Sequence, residues 1–203
     1  MHKILTAFFV AILLAVPAAA SAQLSLGARL GYGAVSGEVV KDVKLSSWVD
    51  HEIPVQLDVS FKVLPNLSLG GYYAYGFTSV KSGSGLDSAN DSRAGVQAAF
   101  AFLPGEKLNP WVGVGTGWGW LNARGSGVDM AISGWDKLTL QGGLDYGVAK
   151  AAAVGLFASY STGEYRDGKI TIPGTKWASG SIGSGEIASH GLFTIGVRGT
   201  LDL

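Results

Sequence analysis

The sequence predicts an all-β protein: an eight-stranded antiparallel up-and-down transmembrane β-barrel. Three observations predict it. Large apolar residues alternate with small or polar ones at a period of two. The connections alternate between long and short. The composition is apolar, rich in glycine and poor in charge.

Of 203 residues, 31 are Gly and none is Cys; 47% are hydrophobic and only 15% charged. An average soluble domain carries about 25% charged residues and about 7% Gly. Mean hydropathy is +0.29, which excludes a disordered chain, since disorder needs low hydrophobicity and high net charge. Lys+Arg and Asp+Glu balance at 15 each, so the basic footprint of a nucleic-acid binder is missing and no nucleic-acid partner is expected. Without Cys there is no disulfide framework and no thiolate metal site. No metal or other cofactor is expected.

Residues 1–22 read as a signal peptide. Lys3 gives the positive start, Ile4 to Val16 is apolar except for Thr6, Pro17 ends the run, and Ala20-Ser21-Ala22 offers a cleavage site before Gln23. The run is shorter than the roughly 20 apolar residues of a spanning helix. Residues 23–203 are then a single barrel domain of an exported protein.

Each strand is justified by alternation. Leu24, Leu26, Ala28, Leu30 and Tyr32 mark the first, and Val55, Leu57, Val59, Phe61 and Val63 the second. Leu67, Leu69, Tyr73, Tyr75 and Phe77 mark the third, and Ala94, Val96, Ala98, Phe100 and Phe102 the fourth. In the fifth, Val112, Val114, Thr116, Trp118 and Trp120 alternate with Gly113, Gly115, Gly117 and Gly119. Leu138, Leu140, Leu144, Tyr146 and Val148 form the sixth, and Val154, Leu156, Ala158 and Tyr160 the seventh. Phe193, Ile195, Val197, Leu201 and Leu203 close the chain. Long connections are expected at about 36–51, 78–91, 122–136 and 163–189, and short ones at about 64–66, 104–109 and 149–151. That asymmetry is the one transmembrane barrels show.

Alternation does not say which face is inside; volume does. Eight strands enclose little more than their own side chains, and roughly five bulky residues per strand do not fit there. The opposite face is Gly, Ala, Ser and Gln with a few charges, which suits a narrow lumen. The large residues therefore face lipid. Aromatics fall near both ends of the strands, as two girdles: Tyr73, Tyr75, Phe77, Trp118, Trp120 and Tyr160 toward the long loops, Phe61, Phe100, Phe102 and Tyr146 toward the short turns.

On these strands the chain resembles the small eight-stranded outer-membrane barrels of Gram-negative bacteria, of the OmpA transmembrane-domain, OmpX and OmpW kind. Asn109-Pro110-Trp111-Val112-Gly113-Val114-Gly115 is similar to a strand motif common there. The family usually ends in an aromatic residue; this chain ends in Leu203. The resemblance implies the outer membrane as location. It implies as partners its lipid and lipopolysaccharide, the barrel-assembly machinery, and an extracellular partner met by four loops. It also implies a structural or surface-interaction role, with a narrow conduit for small or hydrophobic solutes as the alternative.

The candidate site is a polar network in the lumen: Arg29, Asp58, Lys62, Arg93, Gln97, Gln141, Asp145, Arg198 and Asp202. Charges there must pair, because a lone buried charge is costly. A lipid enzyme of this shape uses a His with a Ser and an acid. Ser189, His190 and Glu186 are close in sequence, but Leu192 stands where a His-x-Ser spacing needs Ser. No catalytic residues are assigned, and His190 is read as a rim residue. Asp129, Asp136, Asp167 and Glu186 are read as solvated loop charges. Trp48, Val49, Met130, Ile132, Trp135 and Trp177 are apolar loop residues that either cap the mouth or meet a partner.

Overall fold

The computed structural model describes residues 23–125, 128–171, 178–181 and 186–203. The expected signal peptide, residues 1–22, lies outside them. The strands are β1 (Gln23–Val40), β2 (Val43–Lys44), β3 (Val49–Leu64), β4 (Leu67–Val80), β5 (Leu86–Ala101), β6 (Leu108–Gly125), β7 (Val128–Ala149), β8 (Ala152–Thr171), β9 (Ala178–Ser181) and β10 (Ser189–Asp202). A 3-10 turn at Leu45–Ser47 joins β2 to β3.

Eight long strands form the wall. β1 and β3 to β8 follow one another around it, and β10 pairs with both β8 and β1. Every pairing is antiparallel and the barrel is closed. The seam is tied to the last residue, where Leu203 N–H donates to Leu24 O at 2.8 Å. Closure is what a membrane demands, since lipid cannot satisfy an open strand edge. β2 folds back on β1, and β9 pairs with the upper part of β8.

The register fixes the girth. From Ser25 the paired residues run through Ser60, Gly70, Gln97, Gly115, Thr139, Ser161 and Leu192, and return to β1 at Val35, ten residues along. A stagger of that size tilts eight strands steeply and leaves a lumen that side chains can fill.

The outward face is apolar, as the volume argument requires. Leu57, Val96 and Leu156 are about 60% or more exposed at 60%, 61% and 66%. No aqueous surface keeps a whole wall of such residues, so this wall stands in hydrocarbon. Aromatic residues crowd its edges: Tyr75 meets Phe77 edge-on at 5.0 Å, and Phe100 meets Phe102 at 5.4 Å.

The strands outrun the membrane. A tilted strand crosses in about 9–11 residues; β7 has 22. The expected long loops are therefore corrected. Residues 122–136 are almost wholly strand, because β6 continues to Gly125 and β7 starts at Val128. Residues 78–91 and 163–189 are likewise shortened by β4, β5, β8 and β9. Two causes extend the ladder beyond lipid. The backbone stays paired, from Asn90↔Asn122 to Gly125↔Val128, and the inward face stays apolar at Leu121, Ala123 and Ile132.

Candidate functional site: the lumen and its two ends

Inward positions are set by strand parity, so the lumen is read strand by strand. β1 supplies Arg29, β3 Asp58 and Gln56, β5 Gln97 and β7 Gln141. These five meet at mid-barrel. Arg29 Nε donates to Asp58 Oδ2 at 2.7 Å, Nη1 donates to Gln141 Oε1, and Nη2 donates to Gln97 Oε1 at 3.3 Å. Asp58 Oδ1 accepts from Gln56 Nε2 at 2.7 Å and Gln97 Nε2 at 2.8 Å, and Gln141 Nε2 donates to Gln97 Oε1 at 2.9 Å. Rings lie against the guanidinium: Trp111 at 5.5 Å and Phe157 at 5.6 Å. Arg29 is 7% exposed and Asp58 9%. A pair so buried persists only because each remaining polar atom finds a partner.

The structure does not bring all nine expected residues together. Toward the turns, Arg198 Nη2 lies 3.2 Å from Asp145 Oδ2, and its guanidinium stacks 4.0 Å from the Trp111 ring. At the turn-end opening, Lys62 Nζ donates to Asp202 Oδ2 at 2.5 Å. Arg93 is separate, in an upper chamber. Its Nε donates to Asp91 Oδ2 at 2.5 Å and its Nη2 donates to Glu52 Oε1.

That upper chamber holds the residues the sequence reading missed. Asp136 is corrected from solvated loop charge to a buried group, 5% exposed. His190 is corrected from rim residue to lumen residue. Its Nε2 lies 3.7 Å from Asp136 Oδ1, and its ring stacks on Tyr165 at 4.1 Å. Glu52 and Asp91 were overlooked because they precede the first clear alternation of their strands, although both share parity with Asp58 and Arg93. Asp136 has a different cause. A bulge at Lys137 lets Asp136 point inward while Leu138 points to lipid, so counting back by twos gives the wrong face. Trp111, 3% exposed, also faces inward, one residue before the alternation of its strand becomes plain.

Above the chamber sits an apolar cap. Val39, Leu45, Val49, Leu121, Ile132 and Tyr165 are buried together, with Trp48 and Met130 packed against them. Four of the six expected apolar loop residues thus cover the mouth. Trp135 faces outward at 45% exposure, its Nε1 donating to Thr116 Oγ1 at 2.8 Å; Trp177 lies outside the described residues.

Free space is unevenly distributed. Under the cap, the chamber around Glu52, Asp136 and His190 has about 30 Å³, and the next space, beside Arg29 and Tyr72, about 40 Å³. Each has room for a few waters at most. At the turn end a vestibule of about 380 Å³ reaches up to Arg29, Trp111 and Arg198. Among the described residues, no group of His, Asp and Glu is placed to hold a metal ion.

No protein-family model and no curated protein matches the chain. Solved structures do. Neisserial surface protein A (NspA) superposes with a TM-score of 0.57 at 14% identity, covering 86% of this chain and 95% of that one. The outer membrane protein OprG from Pseudomonas aeruginosa gives 0.55 at 12% identity, covering 89% and 96%. At such identities the likeness speaks to architecture. This chain has the fold of the small eight-stranded outer-membrane β-barrels.

Proposed function

We propose that this protein is a structural or surface-interaction barrel of the outer membrane, exported by residues 1–22, with a lumen that is sealed rather than conducting. The observation that carries the reading is the filled interior. Between the vestibule and the outside stand the Arg29–Asp58 network, the Arg93–Glu52–Asp91 cluster and the apolar cap, separated by spaces of about 40 and 30 Å³. A solute would have to break buried ion pairs to pass, and each broken pair leaves a charge uncompensated.

The four connections at the capped end are the parts offered to a partner outside the cell. Lipid and lipopolysaccharide surround the apolar wall, and the barrel-assembly machinery inserts it. The reading is non-enzymatic. His190 faces the lumen against Tyr165, away from the outer wall where acyl chains lie. Purified protein in planar lipid bilayers is expected to give no discrete conductance steps. Regular channel openings would replace this reading with the narrow conduit.

A further inference from the structure

We infer that the vestibule at the turn end is a blind binding pocket for a small organic anion. Size sets it apart. Its 380 Å³ is about ten times that of either enclosed space above it and falls in the range of ligand pockets, which recur in the mouths of β-barrels. Its inner end is closed by Arg29, held by Asp58, Gln97 and Gln141. A solute enters from the turn side and stops there.

Charge sets the class of solute. Three lysines and two arginines line the vestibule against three aspartates and one glutamate, an excess of one positive charge. An unused hydrogen bond leans the same way. The Trp111 indole N–H is directed at the Asp145 carboxylate, which leaves Arg198 Nε as a buried donor without an acceptor among the described residues. Arg198 is also fixed in place, over the Trp111 ring at 4.0 Å and touching Asp145 at 3.2 Å. A positioned guanidinium with a donor to spare suits a carboxylate or phosphate group. Lys62 at the turn-end opening, 35% exposed and paired with Asp202, adds a cation at the entrance.

The test uses the folded barrel in detergent micelles. The indole N–H resonance of Trp111, assigned with Trp111→Phe, is followed while sodium succinate, inorganic phosphate or sodium chloride is added at matched ionic strength. Succinate is expected to shift it saturably, and chloride not. Arg198→Gln, checked for folding by heat-modifiable mobility, is expected to weaken the response about tenfold, the loss of one charge-assisted hydrogen bond. Lys62→Gln is expected to weaken it less. An equal response to phosphate also supports the pocket and means that it reads charge rather than carbon skeleton. Chloride reproducing the succinate shift overturns the inference, and that comparison stands on the wild-type protein alone. Unchanged succinate binding in folded Arg198→Gln overturns it as well.

Discussion

Arg29 shows how a single side chain holds this lumen in one arrangement. Three inward residues from three strands accept hydrogen bonds from it, and two rings flank it. Replacing it with Met keeps the bulk but leaves Asp58 buried beside Gln56 and Gln97 with no cation. We expect Arg29→Met to cost about 3–5 kcal/mol, measured as the urea unfolding midpoint in lipid vesicles. A variant within 1 kcal/mol of wild type, on the order of one ordinary hydrogen bond, would mean that water reaches Asp58 and that the network is not dry. Smaller residues matter as much. A methyl group added at Gly95 would press on backbone at Gly117, 2.7 Å away, and on the Tyr72 ring at 2.8 Å, whereas at Gly119 its nearest neighbour is the flexible Arg93 side chain at 3.4 Å. Gly95→Ala is expected to destabilise by about 1–3 kcal/mol and Gly119→Ala to be nearly silent, by the same unfolding assay.

On each strand, facing follows from alternation, and β6 gives the sharpest test of it. Val114 is 50% exposed on the outer wall while Gly115 lines the lumen beside Gln97. Val114→Arg should lower barrel stability by about 2–4 kcal/mol if the site lies near mid-membrane; equal unfolding midpoints in vesicles would remove the lipid from that face. Strand identity was legible in the sequence because bulky and small residues alternate without interruption where the chain crosses hydrocarbon. Legibility fades where that contrast stops. Beyond the girdle the outward residues become Asn122 and Arg124, so a reading by hydrophobicity ends the strand although its backbone ladder continues to Gly125. The same fading hid Glu52, Asp91 and His190, and the bulge at Lys137 hid Asp136 by exchanging faces within one step. The mid-barrel residues Arg29, Asp58, Gln97 and Gln141 were legible as inward residues. That they meet was not, because it depends on a ten-residue stagger that no single strand contains.

For the molecule as a whole, the filled lumen and closed wall predict a rigid cylinder that resists detergent. Unheated protein should migrate ahead of boiled protein on a gel and sediment with the membrane fraction; identical mobility before and after boiling would argue against the closed barrel. The capped end should tolerate additions where the chain is exposed. An epitope inserted between Ser82 and Gly83, both exposed, should be reached by antibody on intact cells without loss of heat-modifiable migration. The hydrogen bond from Leu203 to Leu24 carries a further consequence. β1 finds its second neighbour only in β10, about 150 residues further along the chain, so the ring cannot close before β10 has been made. Until then two ragged margins lie open to any other extended chain.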